Sequence, residues 1–335
     1  MLSNLPEKVF LIILLLFFSF GSFAGSYFLI NRITPSPPQI SELFFTHPQL
    51  QKSKTITIIL VGDIMLDRGV EYMMEKHNDW RFPFLKIAND FKKADILFGN
   101  LEGPVSDKGT KVGSIYSFRA NPKAIQGLTY AGFDVLSLAN NHIFDYGREA
   151  MEDTFSNLRE ADIDYVGAGS TEKQAHSPII KEIRGTKIAF LAYTNLGSES
   201  WEAKGEKSGI AWLREEKFKE DIAQAKSQAD LVIVSFHFGE EYQIKPNLTQ
   251  KYYSQLAIDS GADLIVGHHP HVVQPIEQYK QGWIAYSLGN FVFDQNFSEE
   301  TMQGQILEVS IEDSKIKEVI PKEIKINNFF QPEII

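Results

Sequence analysis

Short apolar runs separated by helical patterns organise the chain from residue 55 onward. The first run, Thr55 to Val61, is rich in β-branched residues, and comparable runs follow it along the chain. Such runs are typical of strands buried on both faces. The further strand-like runs are residues 96–98, 135–138, 188–192, 231–236, 264–266 and 283–288, and the helical patterns between them include 122–131, 147–161, 215–228 and 248–260. Strands that alternate with helices predict an α/β fold whose sheets are covered by helices.

The C-terminal region follows a different pattern, in which apolar and polar residues alternate one by one. Residues 305–312 and 315–326 show this alternation on either side of Glu312-Asp313-Ser314. A period of two around a short polar turn predicts an antiparallel hairpin, here within residues 303–326. We expect its strands to belong to a second sheet that packs on the first.

The N-terminal region predicts a membrane anchor. Residues 9–30 contain no Asp, Glu, Lys or Arg, and a helix of that length would extend ~33 Å, enough to cross a bilayer. Residues 1–8 would be a short cytoplasmic N-terminus, and the Pro-rich residues 31–54 a linker. A cleaved signal peptide is the alternative, because Ser22-Phe23-Ala24 resembles a cleavage site. With the anchor retained, we expect a single-pass protein of the cell membrane whose domain, residues 55–335, is extracytoplasmic.

Composition narrows the range of functions. The chain has a net charge of −10 and no Lys/Arg-rich run, so nucleic acid is not an expected partner. It contains no cysteine, which excludes thiolate chemistry, disulfides and Cys-type zinc sites. No Gly-x-x-x-x-Gly-Lys-Ser/Thr loop is present, so the sequence offers no Walker-type nucleotide site.

Polar clusters follow five of the predicted strands. A single cluster of this kind would be an ordinary turn or helix cap. Ligands of open α/β sheets bind beyond the carboxyl ends of the strands, however, so five clusters in such positions predict one shared site. The clusters are residues 62–68, 99–103, 140–147, 237–241 and 267–271.

The residue types in these clusters point to a metal site. Carboxylate, amide and imidazole groups without thiolate suit Mn²⁺, Zn²⁺, Fe²⁺ or Mg²⁺. The candidate ligands are Asp63, Glu102, Asn141, His237, His269 and His271. We expect His268 to face away from its neighbours on the metal side. Six ligands exceed the needs of one tetrahedral ion, so we expect two divalent ions about 3.5–4 Å apart, with Glu102 as a candidate bridge.

Three further residues are candidate catalytic groups. His142 could protonate a leaving group or stabilise charge. Asp145 follows it by three residues and either fixes the His142 tautomer or caps the next helix. Arg68 either clamps an anionic substrate group or forms a structural salt bridge.

The motifs in their order resemble one known family. They are Gly-Asp-x-Met (62–65), Asn-Leu-Glu (100–102), Asn-Asn-His-x-x-Asp-Tyr-Gly (140–147), His-Phe-Gly-x-Glu (237–241), Gly-Ala-Asp-x-x-x-Gly-His-His-Pro-His (261–271) and Ser-Leu-Gly-Asn-Phe (287–291). This set resembles the CapA family of capsule or poly-γ-glutamate biosynthesis proteins, which is related to the calcineurin-like metallophosphoesterases. The resemblance covers roughly residues 56–298 and implies a four-layer α/β/β/α metallophosphoesterase-like sandwich.

The resemblance also implies a function. It implies capsule or poly-γ-glutamate polymer biosynthesis or export, with an anionic polymer as substrate and capsule synthase subunits as partners. We expect a metal-dependent hydrolase-like site; the alternative is a non-catalytic accessory subunit that binds polymer in the same cleft.

Met65 stands where related metallophosphoesterases have a histidine. A thioether is a poor ligand for a hard ion, so the Asp63 position is expected to hold its ion less tightly.

Overall fold

The predicted succession of strands and helices is present in the computed structural model, which describes residues 55–335. The helices are α1 (Arg68–Lys76), α2 (Ala88–Phe91), α3 (Ile125–Ala131), α4 (Gly147–Glu160), α5 (Glu172–Ala175), α6 (Glu215–Lys226) and α7 (Leu248–Asp259). The strands are β1 (Ile56–Ile64), β2 (Ile96–Leu101), β3 (Val135–Ser137), β4 (Asp164–Val166), β5 (Ala168–Gly169), β6 (Ile179–Ile183), β7 (Thr186–Thr194), β8 (Gly209–Ile210), β9 (Leu231–His237), β10 (Leu264–His268), β11 (Ile276–Tyr279), β12 (Gly282–Ala285), β13 (Asn290–Val292), β14 (Gln303–Glu312), β15 (Lys315–Ile326) and β16 (Pro332–Ile334). The strand and helix patterns noted in the sequence all fall on elements of the predicted type.

The predicted anchor, residues 9–30, and the linker, residues 31–54, lie outside the described residues. Within residues 55–335, no helix combines the length and apolarity that a membrane span requires.

Two large sheets carry the fold. The first has the strand order β16-β15-β14-β1-β2-β3-β4, with β13 also paired to β1. Strands β1 to β4 run parallel to one another. The second has the order β11-β12-β10-β9-β7-β6, in which β7, β9, β10 and β12 are parallel. Parallel strands present their carboxyl ends at one edge, so each sheet has an edge suited to a ligand site.

Alternating burial along the strands produces the layers. In β1, Ile58 and Leu60 face the second sheet, whereas Ile59 and Val61 face the helices that cover the first sheet. Three apolar clusters result. One joins the first sheet to α1, α3 and α4, a second lies between the sheets, and a third joins the second sheet to α6 and α7. These three interfaces give the layer order helix, sheet, sheet, helix, as the resemblance implies.

The C-terminal hairpin is confirmed, but its expected place in the fold is wrong. Strands β14 and β15 pair around Asp313 and Ser314, which both have positive φ (49° and 57°), as in the two-residue turns that suit twisted hairpins. Strand β14 pairs antiparallel with β1. The hairpin therefore extends the first sheet, and the second sheet is built from the middle of the chain. Alternation identifies a hairpin without identifying its neighbour.

An irregularity in β1 decides which way Asp63 faces. Three residue steps on β1, from Leu60 to Asp63, oppose two steps on β2. Strict alternation would turn Asp63 toward the helices, but the extra residue turns it toward the second sheet, and Ile64 takes the helix-facing position instead. A Cβ on Gly62 would lie 1.9 Å from the Gly289 carbonyl oxygen, so only glycine fits at the irregularity. Such bulges commonly redirect side chains beside functional sites.

Candidate metal centre

The carboxyl edges of the two sheets meet, and all six candidate ligands lie there. The Asp63 carboxylate accepts a hydrogen bond from the backbone N of His269 (3.2 Å), although the two residues come from different sheets. The structure therefore brings the six residues into one cluster, while their role as ligands stays a prediction. They are Asp63 in β1, Glu102 after β2, Asn141 after β3, His237 at the end of β9, and His269 and His271 after β10.

The first sheet supplies oxygen atoms that are held by an amide network. Asn100 donates through Nδ2 to Asp63 Oδ1 (2.8 Å) and lies 3.5 Å from Glu102 Oε2. Its own side-chain oxygen accepts from Asn140 Nδ2 (3.2 Å). Asn140 also donates to the carbonyl of Leu101 (2.8 Å), which ties the loop after β3 to the end of β2. The carboxylates are thus oriented by buried amides.

The second sheet supplies imidazoles. His237 Nε2 lies 2.6 Å from Asn141 Oδ1, and the rings of His237 and His269 are 5.0 Å apart between centroids. His269 and His271 both have positive φ, 96° and 58°. This backbone conformation is costly for residues other than glycine and is concentrated at functional sites. His271 Nδ1 lies 3.0 Å from Asn290 Oδ1, while its Nε2 lies 3.6 Å from Glu102 Oε1.

Several buried polar atoms of the cluster lack hydrogen-bond partners among residues 55–335. They are Glu102 Oε1, both ring nitrogens of His268, and His269 Nδ1. An unsatisfied buried polar group costs ~1–3 kcal/mol. A divalent cation accepts lone pairs from such oxygen and nitrogen atoms, and the donor set has the hard-to-borderline character that these ions prefer. The residues present therefore fit a divalent metal ion.

Opposite charges couple the two sheets at Asp63 and His271. Burial alone would raise the pKa of Asp63, but its contacts with His268 (3.3 Å) and His271 (3.4 Å) outweigh burial and hold that pKa well below its usual value. For His271, burial would lower the pKa, but Glu102 and Asp63, with a smaller contribution from Glu241, raise it to about 9. The metal-free cluster is thus held partly by an ion pair across the sheets.

Burial dominates at the other ionisable groups of the cluster. It raises the pKa of Glu102 well above the usual value, and the negative charges of Asp63 and Glu241 act in the same direction. Burial, with the neighbouring imidazoles, lowers the pKa of His237 well below its usual value and that of His269 to about 3. Both rings are therefore neutral at pH 7, the form in which imidazole binds metal.

His142 and Asp145 form a close pair beside the cluster. His142 Nδ1 lies 2.7 Å from Asp145 Oδ2, and its Nε2 lies 3.7 Å from Glu102 Oε1. Asp145 also accepts from the backbone N of Phe118 (2.8 Å). It does not cap α4, whose first residue is preceded by Tyr146 without a side-chain cap. Of the two alternatives for Asp145, the structure therefore has the one that orients His142.

Arg68 lies in a salt bridge at the rim of the site. Its guanidinium pairs with the carboxylate of Asp294 and stacks over the Phe118 ring at 4.8 Å. This is the structural alternative for Arg68. A cleft of about 450 Å³ opens above, lined in part by Arg68, His142, Glu241 and His271.

The family is decided by comparison with known proteins. The sequence profile of the family described as bacterial capsule synthesis protein PGA_cap matches residues 57–295. The chain belongs to this family. The resemblance drawn from the ordered motifs is confirmed.

Relatives of this PGA_cap chain include two Bacillus proteins. It is 36% identical to the capsule biosynthesis protein CapA of Bacillus anthracis over 82% of this chain and 69% of that one. It is 39% identical to the PGA biosynthesis protein CapA of Bacillus subtilis (strain 168) over 71% of this chain and 63% of that one. It is also 28% identical to a probable polyglutamine synthesis accessory protein of Mycobacterium tuberculosis, over 71% of this chain and 74% of that one.

Solved structures show that the PGA_cap domain has a metallophosphoesterase-like fold of mixed α/β sheets. A putative 5'-nucleotidase from Staphylococcus aureus aligns with a TM-score of 0.50 at 14% identity, over 84% of this chain and 54% of that one. A hypothetical protein from Thermus thermophilus aligns with a TM-score of 0.50 at 13% identity, over 81% of this chain and 99% of that one. At this identity the similarity concerns the fold alone.

Sequence reasoning missed three polar residues of the cluster and misplaced a fourth. Asn100 and Asn290 contact the candidate ligands Asp63 and His271, and Glu241 approaches the imidazoles. All three stand in the quoted motifs, which was the available signal. His268 was expected to face away from the metal side, but its Nδ1 lies 3.3 Å from Asp63. It does so because β9 and β10 pair with His237 beside His268, so both rings face the first sheet.

Met65 does not face the ligands. It is fully buried in the cluster between the first sheet and its helices. Its sulfur lies 3.1 Å from the backbone N of Asp67. The thioether is thus a core group and is not among the side chains that surround Asp63.

Proposed function

We propose that residues 55–335 form a metal-dependent hydrolase-like domain of capsule or poly-γ-glutamate biosynthesis, which cleaves an ester, phosphoester or amide bond of an anionic polymer. The observation that carries this proposal is the His142–Asp145 pair, 3.7 Å from Glu102, at the base of an open cleft. A buried cluster that served only structure would not need an oriented imidazole on its accessible side.

The metal ligands in this proposal are the six predicted residues. Bound divalent ions would supply Lewis-acid polarisation of the scissile group and a water of lowered pKa. Asn100 and Asn290 orient Asp63 and His271, so these side chains are set before an ion binds.

His142 handles the proton of the leaving group. Asp145 accepts from Nδ1–H, which leaves Nε2 directed toward Glu102 and the cleft. When the ring is protonated, Nε2–H can be donated to the oxygen or nitrogen that leaves. Asp145 is a positioning residue, because it fixes the tautomer and ring orientation without reaching the cleft centre.

The proposal includes a location. The apolar residues 9–30 support a retained single-pass anchor in the cell membrane, with the domain on the extracytoplasmic side, where a capsule polymer is assembled or exported. Mass analysis of the chain from native membranes tests this. A mature N-terminus at Gly25 would replace the anchor with a cleaved signal peptide.

One observation favours a second function, that of a non-catalytic accessory subunit of a capsule polymer synthase. Arg68, the cation at the rim, is engaged by Asp294 in a two-pronged salt bridge. The paired N–H groups of its guanidinium are therefore not free to bind a phosphate or carboxylate of a substrate. A metal cluster that holds the polymer without cleaving it would fit this arrangement.

The test separates the two functions on the full-length chain purified in mild detergent. We expect divalent metal by elemental analysis and hydrolysis of bis-p-nitrophenyl phosphate or poly-γ-glutamate. His142→Asn should lower kcat about 10²–10⁴-fold and leave the metal content unchanged. His77→Asn, an exposed histidine at the end of α1, is the control and should retain full activity. Bound metal without hydrolysis in the native chain would establish the accessory function instead.

A further inference from the structure

The loop between β9 and α7 brings a carboxylate to the cleft side of the cluster. Ligand atoms of Glu241, His269 and His271 all lie within 4.8 Å of one another. A second group with the same spacing consists of Asp63, Glu102 and His271. The two groups share His271, so Glu241 lies beside the same centre and not at a separate surface patch.

We propose that Glu241 is a direct ligand of the metal centre, which holds a hard or borderline divalent cation together with His269 and His271. This inference rests on the proposed function insofar as that function requires a bound metal. It adds a carboxylate from the second sheet to the six ligands predicted from the sequence.

The loop fixes the position of Glu241. The backbone N of the next residue, Tyr242, donates to the carbonyl of Pro270 (2.8 Å), which lies between the two histidines. Tyr242 has positive φ (63°), a conformation that costs energy and needs such support. On the other side, Asn247 and Gln250 form a capping box that fixes the start of α7 and the end of the loop.

The atoms around Glu241 lack partners that a cation would provide. His269 is 7% exposed, and its Nδ1 has no hydrogen-bond partner within the described part of the chain. Glu102 Oε1 likewise accepts no hydrogen bond there, and it lies 3.6 Å from His271 Nε2. In contrast, both ring nitrogens of His237 have polar neighbours, Asn141 and Asn100. Two of the four unsatisfied atoms of the cluster, His269 Nδ1 and Glu102 Oε1, thus belong to the two ligand groups, whereas the other two belong to His268, which is in neither group.

The neighbouring Glu240 shows what an ordinary carboxylate of this loop does. Both residues are exposed, but Glu240 is directed elsewhere, and Asn247 Nδ2 lies 3.4 Å from its Oε1. It has no place in either ligand group. Glu240 and Glu241 therefore offer a matched pair: the same loop, the same side chain, and different surroundings.

Glu241 also supplies a ligand to a centre that receives none from position 65. Met65 is packed in the helix-side core and supplies nothing to the cleft. A carboxylate is a better ligand than a thioether for Mn²⁺ or Mg²⁺. The chain thus supplies a ligand to the centre from the loop after β9 instead of from the end of β1.

The experiment measures Mn²⁺ alone, by calorimetric titration and by elemental analysis after dialysis. It uses the full-length chain and its Glu241→Gln and Glu240→Gln variants. Glu241→Gln keeps the shape and removes the charge. We expect it to weaken the tightest Mn²⁺ step at least tenfold, or to remove one ion per chain. Glu240→Gln should bind as the native chain does, and Glu241→Asp should recover part of the loss.

Each outcome decides the inference. Equal Mn²⁺ affinity and stoichiometry in the native chain and Glu241→Gln would overturn it while leaving the proposed metal site intact. Equal losses in Glu240→Gln and Glu241→Gln would also overturn it, because the effect would then be general charge near the cleft. No Mn²⁺ bound by the native chain would refute the metal-dependent function and this inference together. Thermal unfolding of the chelated variants checks that the substitutions leave the fold unchanged.

Discussion

The two sheets contribute to the cluster in different ways. The first sheet provides oxygen atoms, and a chain of buried amides centred on Asn100 holds them. The second provides imidazoles, and there the backbone holds the geometry, through the positive φ of His269 and His271. The oxygen side is largely hydrogen-bonded within itself, whereas His268 and His269 on the imidazole side retain nitrogens without hydrogen bonds among residues 55–335.

This difference indicates how each side is prepared for a ligand. A side-chain network can be loosened by deleting one amide, because its members orient one another. A strained backbone persists only while the surrounding packing enforces it, so single side-chain changes there alter charge and solvation more than position. Substitutions on the two sides should therefore differ in which property they change.

Asn100→Ala should have the largest effect among such substitutions. It removes the donor to Asp63 and the contact to His237, so we expect about a 10–100-fold loss of Mn²⁺ affinity in calorimetric titration. Asn157→Ala is the control, since Asn157 of α4 donates to the Val105 carbonyl, outside the cluster. An unchanged affinity in Asn100→Ala would show that the amide network does not organise the oxygen side.

A pH experiment tests the imidazole side in the chelated protein. Burial lowers the pKa of His269 to about 3, from its usual value of 6.5. Between these two pH values the His269 ring is protonated in the unfolded state and neutral in the folded state. Stability therefore falls as pH falls through this window. Between about pH 7 and pH 5 we expect His269 to account for a loss on the order of 2 kcal/mol in the free energy of unfolding.

The comparison that isolates this contribution is His269→Asn. Denaturant unfolding at the same two pH values should show a smaller loss of stability in the variant than in the native chain. Equal losses in both proteins would mean that His269 is not held neutral by burial.

Met65 gives the smallest expected effect. Met65→Leu should change the free energy of unfolding by less than about 1.5 kcal/mol and leave metal content unchanged, because the site is a packed core position. Met65→His should lower stability and add no ion, because the ring would be buried away from the ligands. Tighter metal binding in Met65→His would instead show that position 65 does reach the centre.

The sequence was sufficient for the elements and for placing the six candidate ligands together, while their role as ligands stays a prediction. Runs such as 231–236 and 264–266 correspond to strands whose ends carry His237 and His268, and the rule for carboxyl ends brought the six candidate residues together. The family followed from the motifs. These inferences succeed because burial and alternation are local properties of the chain.

The features that the sequence did not predict depend on contacts between distant segments. The hairpin joins the first sheet because β14 pairs with β1, at the opposite end of the domain sequence, and no local pattern specifies that partner. Asp63 faces the second sheet because of one extra residue in β1, which simple alternation assigns to the wrong side. Glu241 comes from a loop whose path is fixed by the Pro270 carbonyl, a contact invisible in the sequence.

The ring stack of Phe98 on Phe190, 5.6 Å between centroids and nearly parallel, joins the inner faces of the two sheets behind the cluster. Each sheet carries part of the candidate ligand set, so the separation of the two parts depends on how the sheets pack against each other. Phe98 and Phe190 thus join the two halves of the candidate site from behind, and we expect substitutions at either position to shift these halves relative to each other.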